Sequence, residues 1–459
     1  MDGRDATIQA LQKQNRALQE QNRALQEQVT LLKERVAELE RRLKIDSSNS
    51  GKPPSSDGLS KKPRTGSLRK KGQRKTGGQK GHRGSTLTMS TTPDRVVVKE
   101  VFSCSGCRAD LSEVAPCHEE RRQVFDIPEP VVEVTEYRSE QKQCPCGAKT
   151  TASFPENVRA PAQYGPRIRA MAVYFNHQQL IPEDRVSEVF SDLFGLSVAA
   201  ATIASYGKAA STALQPWLQS LQQWLASHAL KHLDETGFRV GGKTQWLHVI
   251  SNAFATFYRV AAKRGEMFQS LSGIVVHDHF RSYYKLSDVL HALCNSHHLR
   301  ELKALMEIEK EDWSIRMARL LRYANKHRDK AKVVRLLYDR IVADGLSFHE
   351  RQPPLAQAGR RGRRKRRIGH NLLFRLRDHR DEVLRFLEDE DYPFTNNCAE
   401  QDLRMMKVRM KISGCFRSFA GAEVFANIRS FTSTCRKQKV SVFAALEELF
   451  QGKLPTMPA

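Results

Sequence analysis

The sequence predicts a multidomain α/β protein, and three observations lead to this fold class. A heptad repeat fills the N-terminal region, two close cysteine pairs follow it, and the second half of the chain combines short β-rich runs with helical periodicity. The length of 459 residues is enough for several domains, one of them with a sizeable core. Each region is therefore interpreted as a unit of its own, in chain order.

Residues 1–45 are predicted to form a coiled coil. Five consecutive heptads carry leucine at every d position: Leu11, Leu18, Leu25, Leu32 and Leu39. The a positions hold Ile8, Asn15, Asn22, Val29, Val36 and Leu43. A buried Asn at an a position is best satisfied by the same Asn of a partner in register, so this pattern favours a parallel dimer. A single amphipathic helix packed on its own chain is the alternative.

Positive charge is concentrated in two short stretches of the chain. The formal net charge is +24, and 17 of these excess charges lie in residues 52–83 and 360–367. Residues 46–92 contain too few apolar residues to form a core and are predicted to be a flexible basic linker. Contact with the phosphates of nucleic acid is favoured over the alternative, two solubilising segments. The candidate phosphate contacts are Lys70, Lys71, Arg363 and Arg364.

Residues 93–150 are predicted to form a small β-rich module that binds zinc. The runs VVVKEVF and VVEVTEYR are typical of strands. Cys104 and Cys107 open the module, Cys144 and Cys146 close it, and two such pairs can converge on one tetrahedral Zn²⁺. The single residue inside the second pair is tight for one metal, so ordinary reduced cysteines are the alternative. Spare candidate ligands are Cys117 and His118.

The composition argues against a membrane-spanning protein. No window approaches the roughly 20 apolar residues of a membrane span, and the N-terminus lacks the apolar core of a signal peptide. Nine cysteines, an odd number, suit a metal site in a reducing compartment better than a disulfide framework. A soluble intracellular protein is therefore expected. The scattered cysteines are interpreted as apolar filler: Cys294, Cys398, Cys415 and Cys435.

Residues 151–228 are predicted to be helical. EDRVSEVFSDLFG has apolar residues at helical spacing with Gly195 as its stop, and VAAATIASYGKAA forms a second helix after a short turn. This arrangement is compatible with a helix-turn-helix that contacts DNA. The pattern has low specificity, because any helical hairpin looks similar.

From residue 229 the pattern changes to strands. HALKHLDET ends an apolar run at Asp234, TQWLHVISN and ATFYRVAA resemble a hairpin, SGIVVHDHF ends at Asp278, and HALCN is a further strand. A helix follows, then a helical insertion over about 306–390 with an Arg-rich loop at 359–370, then the helix TNNCAEQDLRMMKVRMK. Residues 229–410 thus form one core in the order β-β-β-(α)-β-β-α. Residues 411–459 are predicted to be a C-terminal helical region.

Three acidic residues in this core are candidate metal ligands. Asp234 and Asp278 are each predicted at the C-terminal end of a strand, and Glu400 lies near the start of a helix. Two divalent ions held by carboxylates can activate an attacking oxygen and stabilise a leaving one in phosphodiester cleavage. Spacing alone does not single out these three among 51 acidic residues, and an Asp after an apolar strand is ordinarily a solvated strand end.

The motifs around these acids resemble the insertion-sequence-66 family of bacterial transposases. The matching segments, in the expected order, are SSNSGKPPSSDG, GGQKGHRG, HLDETGFRV, VVHDHFRSYY, HALCNSHHLRELKAL and PFTNNCAEQDLRMMKVRMKISGCFRSFAGAEVFANIRSFTSTCRKQ. The resemblance implies a ribonuclease-H-like mixed-sheet core of the DDE type, split by the helical insertion. It assigns Asp234, Asp278 and Glu400 as the catalytic residues. The Cys-Pro-Cys-Gly pair departs from the two-residue spacing usual in the family, which bears on zinc rather than on catalysis.

The resemblance further implies a mechanism and partners. The enzyme would hydrolyse DNA at the ends of its mobile element, and the freed 3′-OH would attack target DNA, with Mg²⁺ or Mn²⁺ as cofactor. Expected partners are element-end and target DNA, a second copy of the chain, and accessory proteins encoded by the same element. The expected location is the bacterial cytoplasm, at the nucleoid. Candidate helix caps or DNA contacts are Asn396, Asn397, Arg404, Lys407 and His297.

Two other functions are compatible with the sequence. A DNA-binding regulator with an inactive core would also use basic segments and dimerisation. However, the basic stretch here follows the heptads and is broken by Pro and Gly, so it does not extend as a helix into the major groove. A metal-dependent nuclease would cut DNA without joining it, and strand-transfer products separate it from a transposase.

Overall fold

The computed structural model describes residues 2–44, 84, 86–355 and 366–457. The chain divides into two compact units, one formed by Arg69–Glu136 and the other by Met1–Leu68 together with Tyr137–Ala459. Four predicted phosphate contacts lie outside the described residues: Lys70, Lys71, Arg363 and Arg364. None of the helices in the described ranges is both long enough and apolar enough to cross a membrane.

The heptad region forms one long helix, α1 (Asp2–Lys44). Where the side chains at its a and d positions are described, the apolar ones expose between 47% and 62% of their surface: Leu18, Leu25, Val29, Leu32 and Val36. An apolar seam of this kind is the surface that a partner helix buries in a coiled coil. The helix is as predicted, and the parallel dimer stays a prediction.

The smaller unit has little regular structure in its described part. Cys104 and Cys107 lie in a tight turn, in which the Arg108 amide donates to the Cys104 carbonyl and the Cys104 amide donates to the Ala109 carbonyl, both at 2.9 Å. The run 96–102, predicted as a strand, has no sheet pairing. That prediction is wrong, because β-branched residues favour an extended chain but a strand also needs a neighbour for its backbone hydrogen bonds.

The second cysteine pair lies in a similar turn, which belongs to the larger unit. Strands β1 (Gln141–Gln143) and β2 (Lys149–Thr151) pair antiparallel on either side of it. The Cys144 amide donates to the Ala148 carbonyl and the Gly147 amide donates to the Cys144 carbonyl, both at 2.8 Å. The run 131–138, also predicted as a strand, is likewise unpaired. The β-structure expected over 93–150 is therefore reduced to this hairpin and one isolated bridge at Ser103.

The predicted helical region is confirmed as helical. It contains α2 (Pro166–Val173), a π-helical turn (Tyr174–Gln178), α3 (Glu183–Phe194), α4 (Ala200–Ala213) and α5 (Gln215–Ser227). Gly195 ends α3 in the left-handed conformation at φ +63°, as its position in the sequence indicates. Val186 and Phe190 of α3 pack against Val198 and Ile203 in a small core of their own.

A five-stranded mixed sheet forms the centre of the larger unit. Its strands are β3 (Leu230–Val240), β4 (Lys243–Ser251), β5 (Thr256–Ala261), β6 (Gly273–His277) and β7 (Val289–Leu293). The order across the sheet is β5-β4-β3-β6-β7, with β3, β4 and β5 antiparallel and with β6 and β7 parallel to β3. All five predicted strands are confirmed. The helix expected between β5 and β6 does not form, and a 3-10 helix (Arg281–Lys285) lies between β6 and β7 instead.

The segment after β7 is helical, as predicted. It contains α6 (Asn295–Ala304), a π-helical turn (Leu305–Glu309), α7 (Asp312–Lys326), α8 (Ala331–Glu350), α9 (Ile368–Asp378) and α10 (Arg380–Leu384). These helices share a separate hydrophobic core that includes Trp313, Met317, Tyr338, Leu372 and Leu376. Because α9 begins at Ile368, helical structure resumes before the predicted end of the Arg-rich loop.

Four helices complete the larger unit: α11 (Asn397–Asp402), α12 (Arg404–Ser413), α13 (Phe419–Lys437) and α14 (Val442–Phe450). The single helix predicted over 395–411 is broken at Leu403. The Tyr258 hydroxyl donates to the Asp402 carbonyl at 2.8 Å, and this hydrogen bond competes with the helical backbone ladder at the break.

Helix α13 covers the edge of the sheet at β5. The amides of Thr256 and Tyr258 donate to the hydroxyls of Thr434 and Ser430 at 3.1 and 2.8 Å. An edge strand leaves backbone groups without a strand partner, and these hydroxyls satisfy two of them. This requirement explains why hydroxyl side chains are buried on one face of α13.

Candidate active site

Asp234 lies inside β3 rather than at its end. β3 pairs with β6 only over residues 230–232, whereas its antiparallel pairing with β4 continues to Val240. The expectation that Asp234 ends a strand is therefore wrong, because the hairpin with β4 extends the strand beyond it. Asp234 still lies two residues past the last residue paired with β6, at the edge where the parallel pair of strands ends.

Asp278 follows the last residue of β6, as predicted. Its Oδ1 accepts a hydrogen bond from the Phe280 amide at 2.9 Å, an Asx turn that orients the side chain. Oδ1 of Asp234 accepts the amide of Glu235 at 2.8 Å. Since β3 and β6 are parallel neighbours, both aspartates lie at the same edge of the sheet, and the charge of Asp278 acts on Asp234.

Helix α11 brings Glu400 to the residues that follow β7. Sγ of Cys294 and Nδ1 of His297 each lie 3.8 Å from its Oε1, and Nη2 of Arg300 lies 3.5 Å from its Oε2. Among the described residues, Cys294, His297 and Glu400 form a group whose metal-ligand atoms all lie within 4.8 Å of one another. The two aspartates lie outside that tight group, and the charge of Glu400 acts on Asp234 over a longer range.

The acids at this edge raise the pKa of Asp234. Burial raises it well above its usual value, and the negative charges of Glu235, Asp278 and Glu400 raise it further, whereas His297 opposes them. A carboxylate in this environment is held in its charged form at a cost in free energy. A cation bound beside it removes that cost, so the electrostatics favour cation binding.

His297 is the cationic partner within the group. Burial by itself lowers its pKa, but Cys294, Asp278 and Glu400 outweigh this effect and raise the pKa to about 10. The contact between His297 and DNA stays a prediction, and the structure shows Nδ1 of His297 3.8 Å from Oε1 of Glu400. The adjacent His298 is buried, with Nδ1 at 3.2 Å from Oδ1 of Asn295.

Asn396 is a buried structural residue. Its Nδ2 donates to the Leu233 carbonyl at 2.7 Å, and its Oδ1 lies 2.8 Å from Nδ1 of His232. Its backbone amide donates to Sγ of Cys294 at 3.1 Å. Asn396 thus joins α11 to β3 beside Asp234. The predictions that its side chain caps the helix or contacts DNA are wrong, because it is 1% exposed and both side-chain polar atoms are bonded inside the protein.

Cys294 is a site residue that the sequence interpretation missed. It was predicted to be apolar filler, yet its sulfur contacts Glu400 and accepts the amide of Asn396. A signal was present in HALCNSHH, because Cys294 and His297 have the Cys-x-x-His spacing at the start of a helix. A short spacing of this kind is common among zinc ligands.

Glu235 is a second missed residue, and it is fully paired. Its Oε1 lies 2.7 Å from Nη2 of Arg264, and its Oε2 accepts a hydrogen bond from the Tyr283 hydroxyl. Burial raises the pKa of Glu235 to about 7, with a further contribution from Asp278. Tyr283 lies in the 3-10 helix after Asp278, so this contact connects β3 to the segment that follows Asp278.

Helix α12 supplies positive charge to the site. Burial lowers the pKa of the Lys407 ammonium, while the charges of Asp234 and Glu400 raise it, so this ammonium lies within range of the acids. Arg404 and Asn397 are exposed on α12 and α11. Their predicted contacts with DNA stay predictions.

Each cysteine pair lies in a tight backbone turn that lowers the pKa of one of its thiols. Backbone hydrogen bonds from Cys107 and Gly106 lower the pKa of Cys104, and the Ala148 backbone followed by the Cys144 side chain lowers that of Cys146. The first pair belongs to the smaller unit and the second to the larger one. Zinc binding stays a prediction.

Two family models match the chain. The model described as "Transposase IS66 family" matches residues 161–424, a range that contains the sheet and all three predicted catalytic acids. A model described as a family of unknown function (DUF6444) matches residues 2–88. Comparison with curated proteins gave no match. Because the first model matches more than half of the 459 residues, the chain belongs to the IS66 family of transposases.

Proposed function

We propose that this transposase cuts the ends of its element and joins them to target DNA with a DDE active site on a ribonuclease-H-like core. The observation that carries the proposal is the electrostatic grouping of Asp234, Asp278 and Glu400 at one edge of the sheet. The strand order β5-β4-β3-β6-β7, with three antiparallel strands followed by two parallel ones, supports this core.

The donor set of the three carboxylates fits Mg²⁺ or Mn²⁺. Hard divalent ions take oxygen ligands and keep coordination positions open for phosphate and water. Asp234 and Asp278 would be ligands of both ions, and Glu400 would be a ligand of one. When bound, such a pair of ions activates the attacking oxygen and stabilises the leaving one.

Two phosphoryl transfers make up the proposed reaction. In the first, a water oxygen attacks the phosphorus at the element end, the bond from phosphorus to the 3′ oxygen breaks, and that oxygen leaves as a 3′-OH. In the second, this 3′-OH attacks a target phosphorus and displaces the target's 3′ oxygen, which takes up a proton. Arg404 and Lys407 are assigned to neutralise the phosphates in both steps, which the range of Lys407 to Asp234 and Glu400 supports.

The remaining regions are assigned supporting roles. Residues 1–45 dimerise through α1 as a parallel coiled coil, and the linker 46–92 with the Arg-rich stretch contacts phosphates. The cysteine turns of 93–150 bind zinc, and α3 and α4 within 151–228 act as a helix-turn-helix on DNA. Residues 229–410 form the catalytic core with its helical insertion, and residues 411–459 cover the sheet. Accessory proteins encoded by the element join the active complex.

The proposal is tested by cleavage and strand transfer on labelled element-end DNA with Mg²⁺ or Mn²⁺. Three chains are compared: the native protein, Glu400→Gln, and Glu423→Gln as a matched control on the exposed surface of α13. Each is also assayed for DNA binding and thermal stability. We expect Glu400→Gln to bind DNA without cutting it, and Glu423→Gln to behave like the native chain.

The outcomes separate the alternatives. Cleavage without joined products identifies a metal-dependent nuclease. DNA binding without cleavage, in the presence of the element's accessory proteins, identifies a regulator with an inactive core. Native activity in Glu400→Gln removes this residue from the catalytic set and overturns the DDE assignment.

A further inference from the structure

We infer that Cys294, His297 and Glu400 form a second kind of metal site, which binds a thiophilic divalent ion of the zinc class and thereby withdraws Glu400 from the Mg²⁺-dependent reaction. The binding follows from the geometry of these three residues alone. The inhibitory consequence rests on the proposed function, in which Glu400 is a ligand of a catalytic ion.

The two donor distances to Glu400 are close to those of a tetrahedral zinc site. Sγ of Cys294 and Nδ1 of His297 each lie 3.8 Å from Oε1 of Glu400. Zinc bonds of about 2.0–2.3 Å at tetrahedral angles place neighbouring ligand atoms about 3.4–3.6 Å apart. All three ligand atoms lie within 4.8 Å of one another, so the side chains have to draw closer together to share one ion, and a fourth position then stays open.

The ring of His297 carries a buried nitrogen that makes no hydrogen bond within the described residues. Nδ1 is buried and accepts or donates no hydrogen bond within the described residues, although it is directed at the Glu400 carboxylate. Buried polar atoms are satisfied in the great majority of cases, so an exception calls for a specific explanation. A metal ion between Nδ1, Sγ and Oε1 supplies the missing partner.

Outer contacts hold two of the ligands in place. The Asn396 amide donates to Sγ of Cys294 at 3.1 Å, and Arg300 Nη2 lies 3.5 Å from Oε2 of Glu400. Partners of this kind orient the lone pairs of metal ligands and tune their affinity. Cys294 is 1% exposed and follows β7 directly, so the thiol is fixed by the sheet.

The chemical types of the three donor atoms determine which metal ion the site prefers. A thiol and an imidazole are soft or borderline ligands that suit Zn²⁺ or Co²⁺, whereas Mg²⁺ prefers oxygen. Glu400 Oε1 faces both Cys294 and His297. Zinc on Oε1, with Arg300 Nη2 3.5 Å from Oε2, therefore competes with a magnesium ion beside Asp234 for this carboxylate.

Binding is tested with Co²⁺ as the probe, because thiolate ligation to Co²⁺ produces a charge-transfer absorption band. The full-length chain is used with Cys104, Cys107, Cys144 and Cys146 replaced by serine, so that the other cysteine pairs do not contribute. We expect one equivalent of Co²⁺ to produce the band and Cys294→Ser to abolish it. The matched control Cys435→Ser, a buried thiol of α13 outside the group, keeps the band.

A second variant keeps the proposal open to refutation if Cys294→Ser fails to fold. His297→Ala leaves the thiol and its bond from Asn396 in place, and its folding is checked by circular dichroism. We expect its Co²⁺ affinity to fall by more than the roughly 10–100-fold that loss of an outer partner costs. Absence of the band in the parent chain, or unchanged affinity in the folded variant, overturns the site.

The inhibitory consequence is measured separately, by titrating Zn²⁺ into the Mg²⁺-dependent cleavage reaction. Each chain is normalised to its own rate without zinc, and we expect His297→Ala to require at least about tenfold more zinc for half inhibition. Equal sensitivity of the two chains overturns the competition for Glu400. If the parent chain does not cut DNA without zinc even in the presence of the element's accessory proteins, the proposed function fails, while the Co²⁺ result still decides the metal site.

Discussion

Asp234 and Glu235 are neighbours in β3, and burial raises the pKa of both, yet their carboxylates differ in the partners that they bind. Glu235 is buried and paired with the Arg264 guanidinium and the Tyr283 hydroxyl. Among the described residues, the Asp234 carboxylate accepts a hydrogen bond only from the Glu235 amide. The nearby charges of Asp278 and Glu400 repel this carboxylate. Adjacent residues of a strand point to opposite faces, so one face of β3 has a satisfied acid and the other an unsatisfied one.

This difference indicates a structural role for one acid and a metal-binding role for the acid next to it. An acid whose lone pairs are all used inside the protein contributes to folding, and its removal leaves buried partners unpaired. An acid among other acids destabilises the fold and is retained because it binds something positive. The same substitution at the two positions should therefore have opposite effects on stability and activity.

The largest effect is expected for Asp234→Ala. It removes a proposed ligand that acts on both ions, so we expect Mg²⁺-dependent DNA cleavage to fall by about a thousandfold or more. Stability at neutral pH should be unchanged or higher, because a repelled carboxylate has been removed. Cleavage kinetics and thermal unfolding of the same preparation measure both quantities. A large loss of stability would show that Asp234 is a structural residue.

Glu235→Ala is the matched substitution on the other face. It leaves the Arg264 guanidinium and the Tyr283 hydroxyl without their partner, so we expect the free energy of unfolding to fall by about 3 kcal/mol. Cleavage should be reduced but retained at a temperature where the variant is folded. Denaturant unfolding provides the measurement, and a variant as stable as the native chain would contradict the pairing.

A smaller effect concerns the pH dependence of stability. Folding raises the pKa of Glu235 from 4.5 to about 7, so the folded state binds a proton more tightly than the unfolded state does. The free energy of unfolding therefore includes the full contribution of this proton below about pH 4.5 and loses it as the pH rises through about 7. Relative to Glu235→Gln, which does not titrate at this position, the native chain should lose on the order of 3 kcal/mol over that window. Parallel pH profiles of the two chains would refute this expectation.

The smallest effect is expected at the positive edge of the site. Lys407→Ala should weaken binding to element-end DNA severalfold, independently of sequence, and reduce the salt slope of binding by about one. Lys411→Ala is the control, since Lys411 is exposed on the same helix α12. Salt titrations of DNA binding measure both variants. Equal slopes for the two would mean that Lys407 does not contact a phosphate.

The sheet could be predicted from the sequence because its strands are short apolar runs with local signals. All five runs form strands, and Asp278 follows β6 as expected. The position of Asp234 within β3 could not be predicted, because the length of that strand depends on its pairing with β4. The unpaired runs 96–102 and 131–138 show the converse, since strand-like composition without a neighbouring strand does not produce a sheet.

The inner contacts of the site depend on residues far apart in the chain. Cys294, His297 and Glu400 meet only because α11 packs beside the end of β7, across the whole helical insertion. Asn396 has the sequence position of a helix cap, but its side chain bonds β3 instead. Local spacing indicated the residue types of the site, whereas their partners were determined by tertiary packing.

The central claim, that the aspartates at the end of the parallel strands bind the catalytic ions, is tested most directly by Asp278→Cys. A thiolate is a poor ligand for Mg²⁺ and a better one for the softer Mn²⁺. We expect this variant to bind DNA, to fail to cut it with Mg²⁺, and to recover part of its cleavage with Mn²⁺. If the folded variant binds DNA and cleaves it equally well with Mg²⁺ and Mn²⁺, or with neither ion, the assignment of Asp278 as a metal ligand is contradicted.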